Sequence, residues 1–156
     1  MRKPGVDDMR QVQRLLPTAQ DRLVTINING LLIDAARLLN SPQSNLVVVC
    51  DDNGSLAGVI TKTDIVAQIS RCDGSSCTAA VALVMTKEVA FCKPEDWLTN
   101  VWTLIKERGL KNVPVIDTNS KPIGVLNAKD VLQSMLTDVE YEEELLRDYV
   151  MNVGYH

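Results

Sequence analysis

Histidine is nearly absent from this sequence: there is one in 156 residues, and it is His156. Histidine-based acid–base chemistry, His-ligated zinc and Ser–His or Cys–His catalysis therefore lose their usual partner. Aromatic residues make up only 4% of the chain. The core must be aliphatic, and the same scarcity argues against platforms that stack the bases of single strands. No excess of cations exists either. Sixteen Lys and Arg face twenty Asp and Glu, a formal net charge of −4 with a pI near 5.0, which argues against a binder of phosphate backbones. The longest unbroken apolar run, Ala79–Met85, falls far short of the roughly 20 residues that span a bilayer. The opening MRKPGVDDMR carries acids and a proline where a secretory leader would be apolar, so no membrane or export segment is expected.

What remains is ordinary globular composition, with 46% hydrophobic and 23% charged residues. The four cysteines match no redox or zinc spacing. Cys50 and Cys92 lie in apolar runs and are expected to be small buried hydrophobes, while Cys72 and Cys77 flank a Gly-Ser stretch. Free thiols and a reducing cytoplasm are the expectation, with a Cys72–Cys77 regulatory disulfide as the alternative.

The informative feature is an internal repeat. Shifting the chain against itself by 66 residues sets Leu32 on Leu98, Leu38 on Leu104, Val47 on Val113 and Val49 on Val115. The same register places Asp51 on Asp117, Asn53 on Asn119, Gly58 on Gly124, Val59 on Val125 and Asp64 on Asp130. One gapless register over more than thirty residues means two copies of one supersecondary unit. Within each copy the pattern predicts a short strand (Leu23–Ile26 and Val89–Cys92), then a helix (Leu31–Asn40 and Asp96–Arg108). A hairpin with an Asp/Asn-rich turn and a second helix (61–70 and 127–136) complete the unit. The order is β-α-β-β-α, an α/β (α+β) chain. Further helices are expected over Val6–Leu16 and Asp138–Val150, with a linker over 71–78.

Each copy ends its last strand in a similar way, GVITKTD at 58–64 and GVLNAKD at 124–130. Thr61 or Asn127 stands where a side chain caps the first helical turn, and an aspartate follows three residues later. Two readings are open. Thr-x-x-Asp is a capping box that only starts a helix. The same geometry also offers phosphate the free N–H groups of a helix start, and offers ribose hydroxyls a carboxylate.

These residues resemble the cystathionine-β-synthase-type (CBS) domain: the β-α-β-β-α unit, the aliphatic hairpin and the G-h-x-[TS]-x-x-D ending. Two in tandem, over roughly residues 17–136, resemble a CBS pair or Bateman module. The resemblance implies two repeats related by a pseudo-twofold axis and flanked by terminal helices. Its segments would be 1–16 (N-terminal helix), 17–70 (repeat 1), 71–78 (linker), 79–136 (repeat 2) and 137–156 (C-terminal helix and tail). It further implies a regulatory binder of AMP, ADP, ATP, NAD or S-adenosylmethionine, paired as a homodimer and acting on a client protein. Carried over by position, the first site would use Thr61 and Asp64. Its adenine wall would be Lys87, Glu88 and Val89, with Asn112, Val113 and Pro114 behind and Lys111 near phosphate. The second would use Asn127 and Asp130 with Asp21, Arg22, Leu23, Asn45 and Leu46. There Asn127 departs from the family's Thr or Ser, and Asp21 sets a negative charge near the phosphates, opposed by Arg22. The first site is thus expected to be the better one. Two rivals stay open, a ligand-free interaction module and an unrecognised nucleotide enzyme, the latter weighed down by the missing histidine.

Overall fold

The structure, a computed structural model, describes residues 10–42, 44–71 and 79–154. The expectations for Cys72, Cys77, the linker 72–78 and residues 1–9 lie outside them. The chain enters through a 3₁₀ turn, Val12–Leu15, and helix α1, Leu16–Arg22. Strand β1 (Thr25–Asn27), α2 (Leu32–Leu38), β2 (Leu46–Cys50), β3 (Leu56–Thr61) and α3 (Lys62–Arg71) complete the first repeat. The second follows as α4 (Val81–Val84), α5 (Leu98–Arg108), β4 (Asn112–Ile116), β5 (Pro122–Asn127) and α6 (Ala128–Gly154). β1 runs parallel to β2, which pairs antiparallel with β3, and β4 pairs antiparallel with β5 in the same registers, Leu46 opposite Thr61 and Asn112 opposite Asn127.

The hairpins are built alike down to their turns. Asp51 Oδ1 accepts the N–H groups of Asn53 and Ser55, and Asp117 Oδ1 those of Asn119 and Lys121. Gly54 and its equivalent Ser120 both take the left-handed conformation the turn requires, φ 82° and 63°.

Three differences from the sequence pattern have physical causes. The strand expected over Val89–Cys92 is reduced to a single parallel bridge, Cys92 to Val115. In the first repeat the Val48 N–H donates to the Val24 carbonyl at 2.8 Å and the Ile28 N–H to that of Cys50 at 2.8 Å. Their equivalents are Pro114 and Pro94, which have no N–H to donate. The incoming helix runs past residue 16, because Pro17 occupies the first turn of α1, where its missing N–H is not needed. The helix expected over 138–150 has no start of its own: with no Gly or Pro between Ala128 and Val153, α6 runs unbroken from the repeat.

The two repeats exchange the segments that precede them. Val12 and Ala19 are buried in the core of the second repeat, among Leu98, Val101, Ile105, Val113, Val115, Leu126 and Val131. Val81, ahead of the second repeat, is buried in the core of the first with Leu32, Ala35, Val47, Val49 and Ile60. Backbone bonds follow the same exchange: Val12 N–H to the Asp96 carbonyl at 2.9 Å, and Val81 N–H to that of Gly30 at 3.0 Å. The crossings need glycine. A Cβ at Gly58 would lie 2.8 Å from Met85 Sδ and from the Thr86 carbonyl oxygen, and one at Gly124 2.8 Å from Ala19 Cβ. A third cluster, Leu46, Val48, Val59 and Val125, joins the hairpins of both repeats. By the twofold alternation of a strand, Leu46 and Val48 face this shared core while Val47 and Val49 face their own.

Candidate functional site

A cavity of about 420 Å³ opens where β3 passes into α3. Thr61, Lys62, Thr63 and Asp64 form the helix-start wall, and Thr86, Glu88, Val89 and Ala90 form a second. Gly109–Asn112 and Pro114 close the third side, with Leu46 and Val59 of the shared core as an apolar floor. Its charged side chains balance, Lys62 and Lys111 against Asp64 and Glu88.

At the helix start the capping box is formed. The Thr61 N–H donates to Asp64 Oδ2 at 3.0 Å, and the Asp64 N–H to Thr61 Oγ1 at 3.3 Å. Among the described residues Asp64 Oδ1 accepts no hydrogen bond. The Ala90 carbonyl also receives no donor among the described residues: its counterpart Val24 accepts from Val48, and the equivalent of Val48 is Pro114, which has no N–H. The wall thus combines a helix N-terminus, a carboxylate oxygen and an unpaired main-chain acceptor.

Of the residues expected at the first site, Thr61, Asp64, Glu88, Val89, Lys111, Asn112 and Pro114 line this one space. Val113 does not: it is fully buried in the core of the second repeat, because alternation along β4 turns Asn112 and Pro114 to the cavity and Val113 and Val115 away. Lys87 is exposed outside the lining. Asn45 and Leu46, which the family resemblance assigned to the second site, stand in the wall of the first. The reason is the antiparallel hairpin, which sets the first residue of β2 opposite Thr61, the last of β3. That pairing was the signal by which they, and Val59 behind them, were findable.

Around the second helix start the arrangement differs. Asn127 Oδ1 caps the Lys129 N–H at 2.9 Å, and its Nδ2 donates to Asn112 Oδ1 at 3.2 Å. Asp130 pairs instead with Arg22, the last residue of α1, Nε to Oδ2 at 2.8 Å. Asp21 is exposed on α1, and Leu23 packs on the shared core. The room left by the two glycines serves the crossing segments. Of the described cysteines, Cys92 is buried, its Sγ 3.7 Å from the Pro114 carbonyl, and burial, with Asp96 nearby, pushes its thiol up to about 12. Cys50 is half-buried and shifted up by the same cause, with Asp51 adding to it.

The profile of the CBS domain matches residues 12–71 and again 81–137. The chain belongs to the CBS-domain family. The fold agrees, since solved CBS pairs superpose over most of it. CBSX2 in complex with AMP has a TM-score of 0.70 at 24% identity, covering 81% of this chain and 96% of that one. The CBS pair of protein MJ0100, in complex with 5′-methylthioadenosine and S-adenosyl-L-methionine, has a TM-score of 0.68 at 20% identity, covering 82% and 97%. Among curated relatives, the L-aspartate semialdehyde sulfurtransferase of Methanosarcina acetivorans is 29% identical over 133 residues, 83% of this chain. This CBS pair spans only 26% of that relative's length. No helix among the described residues is long and apolar enough to cross a membrane.

Proposed function

We propose that this CBS pair is a regulatory module that binds one adenosine-containing ligand, of the AMP, ADP, ATP or NAD class, in the cavity at Thr61 and Asp64. The observation that carries the reading is the convergence on that cavity of Thr61, Asp64, the unpaired Ala90 carbonyl and Lys111, which come from both repeats. Its size lies within the roughly 300–1,000 Å³ of small-molecule sites. In this reading the free first-turn amides of α3 and Lys111 attract phosphate, Asp64 accepts the ribose hydroxyls, and the Ala90 carbonyl accepts an exocyclic amino group. The bound AMP of CBSX2 and the bound adenosyl compounds of MJ0100 support this ligand class.

The module acts by binding, without a catalytic step of its own. A ligand shifts its conformation only by the difference in affinity between two states, and the changed helix surface is read by a client. Exposed Val66 and Ile69 on α3, and Leu132 and Leu136 on α6, are the faces on which we place a homodimer partner. Free thiols at Cys50 and Cys92 suit a reducing compartment such as the cytoplasm.

The test is thermal unfolding with AMP, ADP, ATP, NAD and S-adenosylmethionine, beside Asp64→Asn. Asparagine keeps an acceptor for the Thr61 N–H, so the helix start is held while the charge on ribose is lost. At least one ligand should raise the melting temperature with concentration, and the variant should bind it about tenfold more weakly. A second reading is favoured by the completed capping box itself: Thr61 and Asp64 serve only to start α3, and the chain is an interaction module. Silence across the panel at millimolar ligand would decide for it.

A further inference from the structure

The two helix starts are equivalent by the 66-residue register, yet their aspartates are held differently. Asp64 bonds its own Thr61 N–H, whereas Asp130 bonds Arg22 from another element. Two sequence differences produce this. Asn127 turns its Oδ1 to Lys129, two residues on, so no reciprocal box engages Asp130. Arg22 in turn holds the place that Glu88 holds around the first cleft, and a second carboxylate cannot pair with Asp64. The position of Arg22 is fixed by the fold. Ala19, one helical turn earlier, is pressed against Gly124 of β5, which brings the end of α1 over the start of α6.

We infer that the Arg22–Asp130 pair closes the second helix start to ribose, so that each chain holds one adenosine ligand and not two. The inference rests on the adenosine reading of the first cleft. Both aspartates have one oxygen engaged, but the partner differs. Asp64 Oδ2 takes the main-chain N–H of its own helix start at 3.0 Å. Asp130 Oδ2 takes a guanidinium from another element at 2.8 Å, a side chain that stands where a diol would approach. A ribose hydroxyl on a carboxylate is charge-assisted as well, but it would have to form on a carboxylate already paired with a cation. Opening the pair costs Arg22 its partner in a place where its side chain is 32% exposed. Arg22 thereby sets the stoichiometry, and Asp130 serves to tie α1 to α6.

The experiment is equilibrium dialysis of the full chain with AMP, comparing wild type with Arg22→Gln. Arg22→Met, which keeps an apolar stem over α1, is the second variant should Arg22→Gln fail to fold. The expected result is one equivalent bound by wild type and two by the variant. One equivalent in both overturns the latch, as do two in wild type, including the case in which the variant falls to one and Arg22 proves to be a phosphate ligand. No binding by wild type with one equivalent in the variant upholds the latch and overturns the reading of the first cleft. No binding by either overturns both.

Discussion

Cys92 shows how the chemistry of one residue follows from its neighbours. Burial in the second core, next to Asp96, raises its thiol from an ordinary 9.0 to about 12. A raised value means the folded state keeps a proton that the unfolded chain loses. This contribution to stability is therefore complete below about pH 9 and declines as pH rises towards 12. Urea titrations between these values should show wild type losing more stability than Cys92→Ala, by on the order of 1.4 kcal/mol per pH unit. Equal slopes would mean that the thiol reaches solvent. Asp64 and Asp130 teach the complementary lesson: the sequence shows two equivalent carboxylates, but their partners depend on Asn127 and Arg22. Neither residue advertises its choice, because a cap at the second position and a cap at the third use the same side chains.

At the scale of elements, the hairpins were legible because Val- and Ile-rich runs flank Asp- and Asn-bearing turns, and burial and turn chemistry agree there. The first strand of the second repeat was not legible from its own residues. Its fate is decided by two absent N–H groups outside it, that of Pro94 two residues on and that of Pro114 twenty-odd positions away. The latter can be tested directly. Pro114→Val copies Val48 and supplies an N–H opposite the Ala90 carbonyl. Hydrogen exchange should reveal a newly protected amide at residue 114, worth about 0.5–1.5 kcal/mol of pairing. In the proposed reading, the same substitution also weakens ligand binding, by consuming the acceptor in the cavity wall. An unprotected amide would show that the segment 86–90 is held away by something other than Pro114. The site was legible as residues but not as walls, since Asn45 and Leu46 joined the first cleft through strand pairing that no motif records.

For the whole molecule, the shared cluster and the crossed leading segments make two repeats into one folding unit. The connection around residues 72–78 therefore has less to do with holding the halves together than covalent continuity suggests. The family resemblance implies one module, but the sequence repeat does not show the crossed segments that make it one. Each half owns a core that lacks a piece: Val81 for the first, Val12 and Ala19 for the second. Fragments 1–71 and 79–156 should each fail to give a cooperative unfolding transition alone, because each carries the other's missing piece. Mixed at equal concentrations, they should regain one transition and co-elute as a single species on size exclusion. Two independent transitions from the separate fragments would refute the mutual dependence. The crossing thus makes this chain a natural split protein, whose two parts recognise each other by the same contacts that fold the intact molecule.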